Sequence, residues 1–486
     1  MYKQSTAMLS PLSQAARTDP HAPAISGDAS CSYGGLARLA EQVSGRLRAR
    51  GVKAGDRVFL LGTPTVEYCA ALWGCFHASM IACPLNPAFP VETLKKVAGL
   101  LQPACLIHDS TTSEAADLLG LPGLRFGEIK DAPTEASGQG EELNPELPAT
   151  VILTSGSSGL PKAAVHTLGN HVFAARASNR NLPLIPGDIW LLALPFFHVS
   201  GLSLLFRCAL AGAAIALSRP KASLTDELVR TGATHVSLVP TQLARLLEDP
   251  EGREVLQKMK GILLGGAPVE RNLVARALEA GIPLVRSYGM TETSAQLCAT
   301  APGAPPQDLY SSGRTLAEGS LRISASGEIE VKGPAVFAGY LENGEIRWPG
   351  TADGWFPTGD LGYLDEAGRL FIIGRADAMF ISGGENVHPE EIEAALLTLH
   401  GVDRAVVVDV PDAEYGARPV AFIRWSCAAP PRPDAAIRQL GELLPRFKMP
   451  VAFLPWPEGI PEGMKIDRAF FRETARNHLR HGQGQP

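Results

Sequence analysis

The chain lacks any pair of cysteines spaced as C-x-x-C, an arrangement that zinc and redox sites often use. Its eight cysteines are scattered and lie mostly within apolar runs. Cys69 and Cys75 are spaced too loosely for a zinc knuckle, and no histidine pair completes one. We therefore expect reduced core cysteines and a cytoplasmic location.

Long apolar runs are also missing. Residues 1–16 contain no continuous apolar segment, so we expect no signal peptide. The most apolar region, residues 189–217, is interrupted by Pro195, His198 and Arg207, and no run reaches the roughly 18 residues of a membrane span. We predict a buried strand, a loop and a core helix there instead.

No excess of positive charge is present either. The formal net charge of −6 does not favour nucleic acid or an anionic membrane as the main partner. A content of 45% hydrophobic and 19% charged residues is typical of a globular protein. With 486 residues the chain is too long for one core, so two or more domains are expected.

A hydroxyl-rich stretch follows the apolar run 149–153, and it is not a Walker A loop, because G-x-x-x-x-G-K-[ST] is absent here. Two glycines allow a tight turn that brings N–H groups close to a ligand, four hydroxyls add donors and a lysine adds charge. A loop of this kind suits a polyphosphate, although a flexible turn without a ligand is the alternative. We call residues 154–162 the hydroxyl loop; it reads Thr154, Ser155, Gly156, Ser157, Ser158, Gly159, Leu160, Pro161 and Lys162.

Short apolar strands alternate with helical patterns through the first 300 residues, which predicts an α/β fold with largely parallel sheets. After about Ser311 the pattern changes to short strands and turns, which predicts a small β-rich subdomain. From Asp377 onward an α+β pattern begins. We predict a large N-terminal domain over residues 1–375 and a small, mobile α+β C-terminal domain over residues 376–486.

Carboxylates on tight turns mark two further stretches. In residues 287–293, Gly289 allows close backbone approach and Glu292 could hold a divalent cation between phosphates, or only favour a helix dipole. In residues 355–362, Asp360 could accept hydrogen bonds from ribose hydroxyls, or form an Asp turn without a ligand.

The last third of the chain holds three weaker signals. The pair Gly383 and Gly384 is either a plain turn or backbone narrowed for a thin ligand. Residues 388–391 are typical of an ordinary helix start, and we assign them only that role. Lys465 by itself is typical of a solvated surface charge.

Together, in this order and at these distances, the motifs resemble the adenylate-forming family of acyl-CoA synthetases, luciferases and adenylation domains. The resemblance extends to about Arg468. It implies ATP, Mg²⁺ and coenzyme A as ligands, with the hydroxyl loop cradling the ATP phosphates and Glu292 meeting Mg²⁺. It further implies that Asp360 binds the ribose hydroxyls with the assistance of Arg375. The residues that it places around the adenine are Gly265, Gly266, Ala267 and Tyr288, and the motif of Tyr288 also holds Gly289 and Thr291.

The resemblance also assigns residues to catalysis and to the thiol. Lys465 matches the lysine needed for adenylation, and Asp377 matches the hinge about which the C-terminal domain rotates. His198 matches the aromatic gate between the acyl pocket and the thiol channel, and Gly384 matches the glycine beside pantetheine. Thr154, Glu292, His198 and Lys465 are thus the expected catalytic residues.

Three segments, residues 195–203, 234–243 and 381–386, resemble the o-succinylbenzoate–CoA ligases of menaquinone biosynthesis more than other members. Two departures stand out, because Met464 precedes the late lysine where the family usually has glycine, and Ser157-Ser158 replace two threonines. The expected substrate needs polar donors in its pocket. The candidates are Ser200, Ser237, Thr241, Thr293 and Ser294, most of which have helix caps or core hydroxyls as the alternative.

Two other functions stay open at this point. A fatty or aryl acid–CoA ligase would use the same chemistry, with an unbroken apolar tunnel in the fatty acid case. A nucleotide-binding protein without catalysis would keep the motifs as a sensor or partner. A small-molecule carboxylate and CoA are the expected partners, and a homodimer is left open because the sequence gives no oligomeric state.

Overall fold

The computed structural model describes residues 7–131, 142–154, 161–316, 319–412, 414–426, 438–441, 443–458, 460 and 467–482. The chain divides into two compact units. The larger unit contains residues 1–269, 275–321 and 331–356, and the smaller unit contains residues 270–274, 322–330 and 357–486. None of the helices in the described ranges combines the length and apolar character that crossing a membrane takes.

The strand that leads into the hydroxyl loop lies in an eight-stranded sheet of the larger unit, counted over the described residues. Five of its strands are parallel, and the three at one side are antiparallel. From that side the order is Glu345–Arg347, Gly339–Glu342, Lys162–Thr167, Pro148–Thr154, Ile81–Leu85, Arg57–Leu61, Cys105–His108 and Gly123–Arg125.

A second sheet of the larger unit has nine strands within the described part of the chain. Its six central strands are parallel, and the outer ones are antiparallel. The order is Arg314–Thr315, Cys298–Ala299, Leu284–Tyr288, Gly261–Leu264, His235–Leu238, Ile189–Leu192, Ala214–Leu217, Pro23–Ser26 and Cys31–Ser32. Met8–Leu9 and Glu142–Leu143 form a separate two-stranded ladder.

Helices that connect the strands of the two sheets pack against each other and form the main core. Val66–His77 is apolar around its whole circumference and is buried, and it begins where the Thr65 hydroxyl accepts the N–H of Tyr68. Its Phe76 ring stacks on Phe206 of the helix Val199–Ala211, with centroids 5.6 Å apart. The α-helices described are Pro11–Thr18, Tyr33–Ala49, Val66–His77, Val91–Leu101, Ser113–Leu119, Leu168–Asn181, Val199–Ala211, Leu224–Thr231, Pro240–Glu248, Pro250–Gln257, Arg271–Glu279, Pro389–Leu396 and Arg468–Gly482. Short 3₁₀ helices span Ser110–Thr112, Phe126–Asp131, Thr291–Thr293, Pro306–Tyr310 and Arg446–Lys448.

The smaller unit is built around three sheets of described residues. A four-stranded sheet has the order Ser320–Ile323, Glu328–Lys332, Phe356–Leu364 and Leu370–Arg375. A hairpin pairs Phe380–Ser382 with Glu385–Val387, and a three-stranded sheet contains Val402–Asp412, Gly416–Trp425 and Ala452–Pro455. Helix Pro389–Leu396 packs its apolar face on the last of these sheets through Ile392 and Leu396.

These sheets confirm the predicted fold class, with parallel α/β sheets first, a β-rich region next and an α+β part last. Residues 189–217 form a strand, a loop and a core helix, as predicted. The two compact units are defined by packing and do not test the predicted domain boundary at residue 375. The boundary therefore stays a prediction, as does the mobility of the C-terminal domain. None of the described cysteines forms a disulfide bond, and all of them but Cys31 are buried.

Several histidines of the larger unit are buried and uncharged, which makes its stability depend on pH. His77, at the end of helix Val66–His77, faces the Ser10 hydroxyl at 3.0 Å, and burial, aided by the charge of Arg48, lowers its pKa to about 4. The ordinary histidine pKa is about 6.5. Between pH 6.5 and 4 the unfolded chain therefore binds a proton that the folded chain does not, and the free energy of unfolding falls as the pH falls.

We predict that His77→Gln, whose side chain can still hydrogen-bond to Ser10, removes part of this dependence. The wild-type protein should lose about 2 kcal/mol more than the variant between pH 7 and pH 5, measured by urea unfolding. His21→Gln is the matched control, because His21 is exposed. Equal losses for the wild type and His77→Gln would contradict the assignment.

Candidate active site

The hydroxyl loop joins two antiparallel strands of the eight-stranded sheet. Thr154 ends one strand and Lys162 begins the next, and the two residues are paired across the ladder. The ends of the loop are therefore held at fixed separation by the sheet. Ser155, Gly156, Ser157, Ser158 and Gly159 lie outside the described residues, and their assignment to phosphate stays a prediction.

Lys162 and Glu292 lie on two sides of one tyrosine. Nζ of Lys162 lies over the ring of Tyr340, 5.1 Å from its centroid. The hydroxyl of the same ring donates to Oε1 of Glu292 at 2.6 Å. Glu292 is 5% exposed, so its carboxylate is almost removed from bulk water and depends on such partners. The predicted loop cation and the predicted metal-binding acid are thus neighbours in the fold.

The turn that carries Glu292 requires glycine and holds backbone strain. A Cβ on Gly289 would come within 1.7 Å of the Ala295 carbonyl oxygen, so no other residue fits this position. Ser294 and Ala295 have φ angles of 53° and 103°, which non-glycine residues rarely adopt. Strain of this kind persists where the surrounding structure enforces it and is enriched at functional sites.

Three hydrogen bonds from other elements hold this turn in place. Nε2 of His166, on the strand after the hydroxyl loop, lies 2.7 Å from the Thr291 carbonyl oxygen. The N–H of Phe337 donates to the Glu292 carbonyl oxygen at 2.8 Å. The Ser294 hydroxyl donates to the Ala335 carbonyl oxygen at 2.9 Å. Both carbonyl groups on either side of the Thr291–Glu292 bond are therefore fixed from outside the turn.

A buried chain of hydrogen bonds continues behind His166. Burial lowers the pKa of His166 to about 4, so its ring is neutral at pH 7. Nε2 faces a carbonyl oxygen and must carry the proton, which leaves Nδ1 to accept from the Thr150 hydroxyl at 3.4 Å. The same hydroxyl then accepts from Nε2 of His171 at 2.8 Å. With this assignment each donor among these three side chains has one acceptor. Thr150 lies on the strand that ends at Thr154.

The predicted adenine residues lie where two neighbouring parallel strands end. Gly265 to Ala267 follow strand Gly261–Leu264, and Tyr288 ends strand Leu284–Tyr288. A Cβ on Gly265 would come within 2.6 Å of the Ser287 hydroxyl, and Gly266 has a φ of +77°, so both glycines allow close backbone packing here. Ligands of α/β sheets bind outside the carboxyl ends of the strands, which is where these residues lie.

The acyl-pocket candidates follow the next strands of the same sheet. His198 is exposed, begins helix Val199–Ala211 and lies beside Phe197, with ring centroids 4.8 Å apart. Thr241 is exposed, and Ser237 is buried in strand His235–Leu238. The side-chain amide of Gln242 reaches the Ala193 carbonyl oxygen at 3.4 Å, which joins the two strand ends.

Two other hydroxyls of this group, those of Thr293 and Ser294, are engaged with main-chain groups. Thr293 is fully buried, and its hydroxyl accepts from the N–H of Met290 at 2.9 Å and donates to the Met290 carbonyl oxygen. The Ser294 hydroxyl is bound to Ala335 as described above, and the carbonyl oxygen of half-buried Ser200 accepts from the Ser203 hydroxyl. The cap role that was the alternative for Thr293 is therefore present, and its pocket role stays a prediction.

In the smaller unit, Asp360 and Arg375 are paired across a ladder. Nη1 of Arg375 donates to Oδ1 of Asp360 at 3.1 Å, and its Nε donates to Oδ1 of Asp377 at 3.1 Å. Burial opposes the charge of Arg375, but Asp377 and Asp360 outweigh it and raise its pKa above the ordinary value. The predicted ribose acid and the predicted hinge acid therefore share one cation.

Gly383 and Gly384 form the turn of the hairpin Phe380–Val387, both with positive φ. A Cβ on Gly383 would come within 2.9 Å of the Tyr415 ring, whereas one on Gly384 would meet nothing within 4 Å. The space beside Gly384 fits the predicted passage of a thin ligand, although its positive φ of +86° alone favours glycine.

Lys465 lies outside the described residues, but the segment that follows it is anchored. Arg468 donates to Glu390 at 3.0 Å and to Glu393 at 2.7 Å. Burial raises the pKa of Glu390, although Arg468 opposes this, and Lys448 pairs with Glu391. The role of an ordinary helix start assigned to Glu390 and Glu391 was therefore incomplete, because both carboxylates form ion pairs with distant segments.

A model of the family described as AMP-binding enzyme matches residues 12–341, which is more than half of the chain. The chain belongs to the AMP-binding enzyme family. The 2-succinylbenzoate–CoA ligase of Bacillus cereus strain Q1 is 36% identical over 393 residues, which cover 78% of this chain and 81% of that protein. The ligase of the same name from Listeria monocytogenes serotype 4b is 34% identical over 390 residues, covering 80% and 82%.

Solved structures of AMP-binding enzymes match nearly the whole chain. The o-succinylbenzoate CoA synthetase MenE of Bacillus subtilis, in complex with the acyl-adenylate OSB-AMP, has a TM-score of 0.85 at 30% identity and covers 96% of this chain and 98% of that one. The same enzyme with ATP and magnesium has a TM-score of 0.82 at 30% identity, covering 93% and 96%. ATP-bound MatB from Rhodopseudomonas palustris reaches 0.87 at 27% identity, covering 97% and 100%.

Sequence reasoning missed three features of the two units. Tyr340 stands in an apolar run, His166 was not considered, and the ion pairs of Arg468 join residues about 75 positions apart. The only signal for Tyr340 is that it follows Gly339 shortly after an irregular turn. That pattern fits a core aromatic equally well.

We predict that Gly289→Ala strongly destabilises the larger unit, because the added methyl group would overlap main-chain atoms that cannot turn away. The expected loss is about 3 kcal/mol in urea unfolding. Gly45→Ala is the control, since Gly45 lies in helix Tyr33–Ala49 with nothing within 4 Å of the new atom, and it should gain about 0.5–1 kcal/mol. Similar stability of the two variants would contradict the geometry of the turn.

Proposed function

We propose that the protein is an ATP-dependent carboxylate–CoA ligase that works through an acyl-adenylate, with o-succinylbenzoate as its carboxylate. The observation that carries the proposal is the likeness to 2-succinylbenzoate–CoA ligases over about four fifths of their length, in more than one genus. Structures of one such ligase hold the acyl-adenylate in one case and ATP with magnesium in another. Menaquinone biosynthesis is the pathway in which such a ligase acts.

The first half-reaction makes the carboxylate a good acyl donor. Direct loss of oxide from a carboxylate is unfavourable, so a carboxylate oxygen attacks the α-phosphorus of ATP and the bond to pyrophosphate breaks. Negative charge gathers around that phosphorus in the transition state. Lys162, the donors of the hydroxyl loop and Lys465 supply positive charge and hydrogen bonds there.

The residues of the larger unit fit a Mg²⁺ ion bound mainly by the substrate. The described residues contain no group of three or more His, Cys, Asp or Glu side chains that could hold a metal by themselves. Mg²⁺ bound to nucleotides commonly takes one or two carboxylates plus phosphate oxygens, which agrees with Glu292 as a single ligand. When bound, the ion neutralises developing charge on the phosphates.

The family resemblance assigns the nucleotide contacts in this proposal. Tyr288 stacks on the adenine, which the backbone of Gly265 to Ala267 borders. Asp360 accepts hydrogen bonds from the ribose hydroxyls, and Arg375 orients its carboxylate. The observed pairing of Asp360 with Arg375 supports these roles, because a paired carboxylate keeps acceptor capacity on its second oxygen.

The second half-reaction transfers the acyl group to the thiol. The C-terminal domain rotates about Asp377, which withdraws Lys465 and brings Gly384 beside the pantetheine. The sulfur of CoA attacks the carbonyl carbon of the mixed anhydride, the bond to AMP breaks and the thioester forms. His198 closes the path between acyl pocket and thiol channel. A non-catalytic nucleotide-binding protein has no use for this second set of residues.

The choice of acid rests on side chains rather than on the fold. MatB, which does not bear a succinylbenzoate name, matches the chain with a TM-score as high as that of the Bacillus subtilis enzyme. Ser237, near the carboxyl end of strand His235–Leu238, and Thr241, in the helix that follows this strand, supply hydroxyls that a fatty-acid tunnel would not need. A fatty or aryl acid ligase is therefore the second candidate.

We predict that pyrophosphate release from ATP and Mg²⁺ occurs with o-succinylbenzoate and is at least about 100-fold slower with palmitate or benzoate, because buried polar groups would be left unpaired. Initial rates are measured at equal, saturating concentrations of each acid. Faster release with palmitate or benzoate would favour the second candidate. Absence of pyrophosphate release with all three acids would favour a protein without catalysis.

We also predict that Lys465→Ala slows adenylation by about 100-fold or more, because one positive charge at the α-phosphate is lost. Thioester formation from supplied acyl-adenylate and CoA should be nearly unchanged. Lys258→Ala is the matched control, since Lys258 is exposed and pairs with Glu254 one helical turn away. Equal retention of both half-reactions in Lys465→Ala would refute its role.

The cytoplasmic location and a homodimer remain proposals of this function. We propose the cytoplasm because the ligase would use ATP and two freely diffusing substrates. Sedimentation of the purified protein measures its assembly directly.

A further inference from the structure

We propose that Tyr340 is a positioning residue that sets the orientation of the Glu292 carboxylate toward the divalent cation and keeps the Lys162 ammonium apart from it. The inference rests on the proposed function, because it needs Glu292 to bind a cation beside the nucleotide phosphates. It adds a residue that none of the sequence motifs contains.

The tyrosine reaches Glu292 because of where its strand lies. Gly339–Glu342 pairs antiparallel with Lys162–Thr167, and Tyr340 is opposite Ala164 in that ladder. The strand therefore continues the same sheet that carries the hydroxyl loop, whereas Glu292 follows a strand of the other sheet. The 2.6 Å hydrogen bond from the Tyr340 hydroxyl spans the gap between them.

The ring itself is locked in one orientation. It is 9% exposed, and Phe337 packs edge-on against it with centroids 4.9 Å apart at 73°. Phe337 also donates its N–H to the Glu292 carbonyl oxygen, so one short segment fixes both the ring and the main chain of the acid. A carboxylate held by a rigid donor loses little rotamer freedom when a cation arrives.

The two ends of the tyrosine hold opposite charges. The Lys162 ammonium lies over the ring face, where the π electrons attract a cation, and the Glu292 carboxylate accepts from the hydroxyl at the ring edge. Without the ring, a flexible lysine near an almost buried carboxylate would form a direct ion pair with it. Such a pair would neutralise both groups and compete with the cation and the phosphates for them.

Tyr340→Phe removes one oxygen atom and keeps the ring under Lys162. We expect the Mg²⁺ concentration for half-maximal pyrophosphate release to rise about tenfold. Binding of Mn²⁺ in the presence of α,β-methylene-ATP, measured by the electron paramagnetic resonance of free Mn²⁺, should weaken by a similar factor. Binding of the same analogue without a divalent cation should be unchanged.

A second variant separates the two halves of the proposal. Tyr340→Leu removes ring and hydroxyl, so it should also weaken the metal-free binding of the analogue through the released Lys162. Tyr363→Phe is the control for loss of a hydroxyl, since Tyr363 is exposed on strand Phe356–Leu364, and it should match the wild type in all three measurements. Thermal unfolding of each variant reports whether the fold is kept.

Two results would overturn the inference. Unchanged Mn²⁺ affinity in Tyr340→Phe would show that the hydroxyl does not orient the acid. In Tyr340→Phe, an equal loss of analogue binding with and without the cation would show that the hydroxyl has a merely structural role. The Mn²⁺ measurement needs no carboxylate substrate, so it stays informative even if no acid supports pyrophosphate release, which would refute the proposed function instead.

Discussion

The hydrogen bond between His166 and the Thr291 carbonyl oxygen is the contact on which the rest of the site depends. His166 belongs to the sheet that carries the hydroxyl loop, and Thr291 follows a strand of the second sheet. The turn has its own strained backbone, with two non-glycine residues at positive φ, and would not keep its shape without such contacts. Burial lowers the pKa of His166 to about 4, so its ring is neutral at pH 7 and its Nε2 faces the Thr291 carbonyl oxygen. The strand Lys162–Thr167, which follows the hydroxyl loop, and the turn of Glu292 are consequently held in one frame, which would reduce the ordering that binding of a nucleotide must cost.

The sequence allowed the parts of this site to be predicted, but not the contacts between the sheets. Thr154 and Lys162 could be predicted because they belong to one motif, and the structure adds that the sheet pairs them at the two ends of the loop. Asp360 and Arg375 belong to separate motifs, and they meet because the hairpin register places them opposite each other. Tyr340 could not be predicted from a motif, since its partner Glu292 is 48 residues earlier and follows a strand of the other sheet. Periodicity reports which face of an element is apolar and carries no information about which distant group will meet a hydroxyl on that face. The same holds for the ion pair of Glu390 with Arg468, because Glu390 also fits the preference for acidic residues in the first turn of a helix.

Fold and specificity separate clearly in this molecule. Two proteins with different names match the chain with TM-scores of 0.85 and 0.87, so the fold by itself does not select the acid. The carboxyl edge of the nine-stranded sheet makes this division possible. Its strands are joined by main-chain hydrogen bonds that do not depend on side-chain identity, and the residues that follow them can change without loss of the frame.

Arg375 places a limit on how tightly the smaller unit can hold Asp377, the proposed hinge residue. Its guanidinium is shared by Asp360, whose side chain is 15% exposed, and Asp377, whose side chain is 69% exposed. An exposed ion pair is worth about 0–1 kcal/mol, so the contact with Asp377 can break at little cost. The contact with Asp360 is better shielded from water. One cation that binds a partly buried acid and an exposed acid would suit the reversible rotation proposed above, because only the exposed pair would have to break.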